Sequence, residues 1–290
     1  MSSTQRSPFT PGQGAFPPYL AGRKSKQAVM RSRMEALADN DPLATNIILY
    51  GPRGNGKTVL MDWALRQARA RKIYTISLSA AESQAKWGLL NELSMLPNWL
   101  GEILGRFRSA SAPGTGDQMH AKADGPLAGM LRRRSRLSPV LLALDEAHMM
   151  DAEFGRDLFN IVWKLQREGC PVMLILAGTP DLPRHLSTLE ASFWDRSERL
   201  PIGRLGPETS ADAIRIPLEE GGRSITAAAL EAAIGESDGY PYFLQLLGEA
   251  IWDAGPDPPQ FRSHWPTSTA YGHLSGGSRA SITTIATRNW

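Results

Sequence analysis

The chain has 290 residues, of which 42% are hydrophobic and 21% charged, and a net charge of +3. That length accommodates one large or two modest domains, and the composition is that of a globular protein with a sizeable core. One cysteine, Cys170, excludes an internal disulfide framework. No apolar run approaches a membrane span, and a charge this small does not by itself argue for nucleic acid. The polar start, without an apolar signal core, points to the cytoplasm.

Residues 1–18 are rich in Ser, Thr, Gly, Gln and Pro and read as a flexible arm. Tyr19 to Arg23 leads into a polar, helix-compatible stretch ending near Ala38. Its charge is lopsided, with Arg23, Lys24, Lys26, Arg31 and Arg33 against Glu35 and Asp39. A solvated helix face is the simpler account, with a phosphate-contacting surface as the alternative. Asn40-Asp41-Pro42 marks a turn, and Asn46 to Tyr50 is an apolar run that predicts a buried strand.

The next eight residues, Gly51-Pro52-Arg53-Gly54-Asn55-Gly56-Lys57-Thr58, fit G-x-x-x-x-G-K-[ST] at every fixed position. A strand precedes them and Val59 to Leu65 follows with helical spacing, the context that confirms a P-loop. Glycines let backbone N–H groups turn inward around phosphate oxygens, and the helix start adds partial positive charge. Lys57 reaches the β- and γ-phosphates of a nucleotide and the Thr58 hydroxyl ligates Mg²⁺. ATP and Mg²⁺ are the cofactors this implies, with Gly51 to Val59 as the binding stretch.

Lys72 to Ser79 alternates and predicts a second strand. Residues 85–108 carry leucines and tryptophans at helical spacing, and 109–126 read as a loop. Leu131 to Arg136 is a tight basic cluster, ordinarily solvated but the best candidate in the chain for an anionic partner. Val140 to Leu144 predicts a strand buried on both faces, and it ends in Asp145 and Glu146. At the carboxyl end of a parallel strand, Asp145 would hold Mg²⁺ through water and Glu146 would polarise the attacking water.

Phe154 to Arg167 predicts a helix, and Cys170 to Thr179 another apolar strand. From its tip Thr179 could reach the γ-phosphate or the lytic water, or could simply satisfy its own backbone. Ser187 to Arg199 predicts one helix, followed by a short strand over 200–203. Beyond Leu205 the pattern is helical. Ser210 is a candidate cap of one helix and Thr226 of the next, and Gly239-Tyr240-Pro241 opens a last helix to Trp252. Residues 255–290 lose hydrophobic periodicity, predict poor order, and carry no pattern for a further module.

Together, Ala21-Gly22-Arg23, Gly51 to Thr58, Asp145-Glu146-Ala147-His148, Ala177-Gly178-Thr179, Asp195-Arg196 and Gly239-Tyr240-Pro241-Tyr242 resemble the AAA+ ATPases. Within them the likeness is to the origin-recognition-like and STAND-like groups, over about residues 19–253. The resemblance implies an α/β fold: a P-loop NTPase with a parallel sheet of order 5-1-4-3-2 flanked by helices, over 19–205. A small helical lid over 206–254 follows from it, as does ATP held between the two, often at a subunit interface. It further implies Arg23 near the adenine end, Thr179 as the sensor, and Arg196 as an arginine finger acting on a neighbouring subunit. A surface salt bridge from Arg196 to Glu190 or Glu198 is the competing account, and Arg199 the runner-up finger. Many members carry an arginine at the start of the last helix, where this chain has Pro241-Tyr242-Phe243.

A GTPase would want [NT]-K-x-D, and the nearest string, Ala121-Lys122-Ala123-Asp124, lacks the first residue. A helicase needs a second motor domain. A small-molecule kinase would not need the acid pair, which favours water as acceptor. The expectation is therefore an ATP hydrolase that drives or gates a conformational change in a partner assembly, as a homo-oligomer or with another protein. A slow nucleotide-dependent switch and a DNA-associated loader are the alternatives.

Overall fold

The computed structural model describes residues 6–12, 16–17, 19–41, 44–80 and 125–254. The helical run expected over 85–108, nearly all of the loop over 109–126 and the tail over 255–290 lie outside the described residues. Among the described residues two compact units emerge, one within 25–53 and 60–202, the other within 6–24, 54–59 and 203–254.

In the first unit each apolar run becomes a strand: β1 (Ile47–Tyr50), β2 (Tyr74–Ser79), β3 (Val140–Asp145), β4 (Val172–Gly178) and β5 (Glu198–Pro201). All pair in parallel, in the order β2-β3-β4-β1-β5. This is the expected order read from the opposite edge. β4 is buried at every position and β3 at every position but Asp145, because helices cover a parallel sheet on both faces. The edge strands β2 and β5 are largely half-buried or exposed. Tyr50 lies opposite Gly178 and Leu144 opposite Leu176, so the carboxyl ends of the three central strands fall along one edge of the sheet. Ligands of open α/β sheets bind beyond that edge.

The helices of this unit are α1 (Lys24–Ala38), α2 (Lys57–Ala70), α3 (Gly125–Ser135), α4 (Ala152–Arg167), α5 (Leu182–Leu189) and α6 (Ala191–Arg196), the first turns of α1 and α2 crossing the unit boundary. α4 turns Phe154, Leu158, Phe159, Val162 and Leu165 inward. Each such side chain contributes about 1.5–3 kcal/mol on burial. Phe159 stacks on Phe193 of α6, with centroids 4.0 Å apart. Inside the sheet the Asn46 side-chain oxygen accepts the Leu174 N–H at 2.8 Å.

Three local expectations need correction. The helix predicted over 187–199 is two helices broken at Glu190, which is extended, with φ −157°. Arg199 consequently sits on β5, opposite Ile48, rather than on a helix. Ser210 is not a cap: Gly206 begins α7 (Pro207–Glu220), and Ser210 lies inside it, fully buried. The basic cluster is also not simply solvated. Arg132 is buried and forks onto Glu168 at 2.8 and 3.1 Å, and Arg134 stacks 3.7 Å over the Tyr74 ring.

The second unit packs α7, α8 (Ala227–Ser237) and α9 (Pro241–Asp253) around Ile214, Leu218, Ala233, Leu244, Ile251 and Trp252. Thr226 caps α8 as expected, its hydroxyl accepting the Ala229 N–H at 3.2 Å. Phe9, in the stretch read as a flexible arm, is 2% exposed in this core. It presses on Gly248, where a Cβ would stand 2.3 Å from its ring, and the Thr10 N–H donates to Gln245. A single aromatic among polar residues has no period to announce it.

Candidate nucleotide site

The loop after β1 needs its glycines for two different reasons. At Gly51, φ is +156° and a Cβ would lie 2.1 Å from the Ile202 carbonyl oxygen, closer than any side chain can approach backbone. The Gly51 N–H also donates to the Gly178 carbonyl at 3.2 Å, which places the loop's first residue beside the end of β4. Gly54 and Gly56 have φ of +78° and +81°, left-handed values that L side chains resist, although nothing crowds Gly56. Alternation of this kind turns successive N–H groups toward one concavity. Lys57 then opens α2, whose fourteen residues give the concavity a full helix N-terminus.

Residues 54–59 belong to the helical unit, and so does Arg23. Its guanidinium, in a residue only 6% exposed, donates to the Asn55 carbonyl at 3.0 Å and to the Gly203 carbonyl at 2.7 Å. Burial pulls the Arg23 pKa below its ordinary value. The Tyr242 N–H of α9 donates to the Gly54 carbonyl at 3.3 Å. The loop's backbone is thus held from the N-terminal segment and from α9. Arg23, implied by resemblance to sit at the adenine end, grips the loop itself.

A second cluster forms at the carboxyl end of β3 in the sheet unit. The Asp145 carboxylate accepts the Glu146 N–H at 2.8 Å, and Glu146 adopts φ 51°, ψ 34°. That left-handed turn sends the chain into the short helix Ala147–Met149. Glu146 Oε2 lies 3.4 Å from His148 Nδ1 and 4.0 Å from an Arg53 guanidinium nitrogen. His148 Nδ1 in turn faces the Thr179 N–H at 3.5 Å. The Thr179 hydroxyl oxygen is buried without a hydrogen-bond partner among the described residues, so it is not spent on its own backbone. Asp62 on α2 has a raised pKa, first from burial, with the Asp145 charge adding and Arg66 opposing.

Glu146 and Thr179 therefore share one cluster with Arg53, while Arg23, Gly54, Asn55, Gly56, Lys57, Thr58 and Val59 form another. Arg196 ends α6 in the sheet unit, its guanidinium 5.5 Å over the Trp163 ring. It forms no ion pair among the described residues, and Glu198 is taken by Arg33 at 2.8 Å. Sequence reasoning gave His148 no role, although it stands three residues after Asp145 in the quoted motif.

The residues present fit a Mg²⁺-bound nucleotide. The loop's left-handed glycines turn N–H groups inward and its lysine opens α2; separately, in the sheet unit, the Thr179 hydroxyl has no hydrogen-bond partner among the described residues. No group of three or more His, Cys, Asp or Glu among the described residues could hold a metal alone. Among the described residues no helix is long and apolar enough to cross a membrane.

Sheet order and loop together define a P-loop NTPase fold. The chain belongs to the AAA family: the model of the AAA domain matches residues 42–186. No curated protein matches the sequence. Its fold is similar to the Walker-type ATPase PABY2304 of Pyrococcus abyssi, with a TM-score of 0.53 and 18% identity over 81% of this chain and 69% of that one. It is similar to the Aeropyrum pernix ORC2 protein in its ADPNP–ADP complexes, with a TM-score of 0.57 and 14% identity over 83% and 64%. It is also similar to the Thermotoga maritima RuvB Holliday junction branch migration motor, with a TM-score of 0.52 and 17% identity over 83% and 66%. The chain spans about two thirds of the length of these proteins.

Proposed function

We propose that this protein binds ATP on the Gly51–Thr58 loop and hydrolyses it with Mg²⁺, to drive or gate a conformational change in a partner assembly. The observation that carries this is the loop itself: three glycines at positive φ turning into a helix that opens on Lys57. ATP supplies the γ-phosphoryl group and Mg²⁺ neutralises charge on it. Lys57 binds the β- and γ-phosphates, with Gly51, Pro52, Arg53, Gly54, Asn55, Gly56 and Val59 shaping the backbone around them. Thr58 is the metal-ligating hydroxyl and Asp145 the carboxylate that orders the metal's water. Glu146 takes the proton of the attacking water, and Thr179 donates its hydroxyl, which has no partner among the described residues.

Arg196 is the candidate arginine finger, supplied to a second copy of the chain. Its freedom from ion pairs among the described residues supports this over a structural salt bridge. The DNA-loader alternative rests on the basic N-terminal stretch as well as on the cluster from Arg132 to Arg136. Arg132 and Arg134 are engaged with Glu168 and Tyr74, which leaves that cluster less to offer a polyanion.

Lys57→Ala should abolish ATP binding, read with a fluorescent nucleotide. Glu146→Gln should bind ATP normally and turn over about 10²-fold or more slowly. A Glu146→Gln protein as fast as wild type would refute the assignment. A wild-type protein that binds ATP but turns over less than once in many minutes would put the switch reading ahead. Mixing Arg196→Ala with Lys57→Ala protein should recover activity that neither has alone.

A further inference from the structure

The ring nitrogen of His148 meets both the proposed water-activating carboxylate and the tip of the neighbouring strand. Nδ1 lies 3.4 Å from Glu146 Oε2 and 3.5 Å from the Thr179 backbone nitrogen. The side chain is 13% exposed and is packed closely: a Cβ on Gly178 would stand 3.2 Å from this same nitrogen. A side chain at 178 would crowd the ring by a few tenths of an ångström.

One nitrogen cannot serve both neighbours at once. With a lone pair, Nδ1 accepts the Thr179 N–H and presents negative density to the Glu146 carboxylate. With a proton, it donates to Glu146 and leaves the Thr179 N–H without it. Only the protonated nitrogen holds the carboxylate, the bare lone pair repels it, and the choice between the two links Glu146 to Thr179. The left-handed backbone at Glu146 adds to this restraint, since it swings residues 146–149 back toward the sheet edge. Arg53 also faces the carboxylate, at 4.0 Å and largely exposed.

We infer that His148 is a positioning residue for ATP hydrolysis: it docks the Glu146 carboxylate against the end of β4 and ties its orientation to Thr179. This rests on the ATPase assignment above. Misplacing a catalytic group by about 1 Å costs on the order of 10²-fold in rate. His148→Leu, which fills the space without a polar atom, should lower kcat by about that factor and leave KM for ATP and the melting temperature nearly unchanged. His148→Asn, whose amide occupies the place of the Nδ1 edge, should recover most of the loss. Wild-type turnover in His148→Leu, or an Asn variant no better than Leu, overturns the inference.

A readout independent of turnover separates this from failure of the ATPase assignment. In protein labelled with ¹⁵N-histidine, the His148 signal is identified by its absence in His148→Asn. Glu146→Gln should move that signal and leave the other four histidines in place. An unmoved signal overturns the docking, whether or not ATP is hydrolysed.

Discussion

Around residues 54–56 the main chain is held by main-chain contacts and one buried guanidinium: Arg23 on the Asn55 and Gly203 carbonyls, and the Tyr242 N–H on the Gly54 carbonyl. Around residues 145–148 it is side chains that meet. Glu146 has two cationic or protonatable neighbours, His148 Nδ1 faces a donor and an acceptor, and the Thr179 hydroxyl has no partner among the described residues. Backbone contacts have a single solution and give a fixed cradle. Side chains with competing partners have several of similar energy, which suits a group that must respond to what is bound. The difference also explains where substitutions should hurt folding and where they should hurt chemistry.

The largest effect is expected at Gly51. Gly51→Ala drives a methyl to 2.1 Å from the Ile202 carbonyl, backbone against backbone, and should cost about 4 kcal/mol of stability. Gly56→Ala, in open space at φ +81°, should cost only about 1–2 kcal/mol. Denaturant midpoints measure both; equal losses would show that crowding is not what separates the two glycines. Next is Arg23→Ala, which removes two charge-assisted hydrogen bonds and strands two carbonyls, for a loss of about 3 kcal/mol. Arg23→Lys should recover part of it, because both bonds leave a single guanidinium nitrogen and an ammonium also carries more than one donor.

The carboxylate end should behave in the opposite way. Thr179→Val keeps the shape and removes a buried hydroxyl without a partner, so stability should hold or rise by about 1 kcal/mol while ATP turnover falls. Loss of stability with unchanged turnover would make Thr179 a structural residue and break the contrast. The smallest effect is a matter of pH. The Asp151 carboxylate accepts the Phe154 N–H at 2.9 Å and the Glu153 N–H at 3.0 Å at the start of α4, and the Phe154 bond is the main cause of its depressed pKa. A depressed folded pKa adds stability above the unfolded value of about 3.9, and that stability is lost as pH falls through the folded pKa. Asp151→Asn should therefore narrow its gap to wild type between pH 5 and 2, a trend that thermal melts across that range would reveal.

The sequence alone determined the P-loop, the acid pair, the five strands, their order through the family resemblance, and the Thr226 cap. These are local matters: apolar periodicity, glycine placement and a hydroxyl next to its helix are readable along a short window. What tertiary structure decided are the meetings of residues far apart in the chain. Arg23 closes on Asn55 and Gly203, Arg132 is spent on Glu168, Phe9 lies in a helical core on Gly248, and the helix predicted over 187–199 breaks so that Arg199 can join β1 in the sheet. His148 shows the limit most clearly. Its letter stood in the motif, but its inferred role depends on its ring meeting Thr179, thirty-one residues away, and no window along the chain contains that fact.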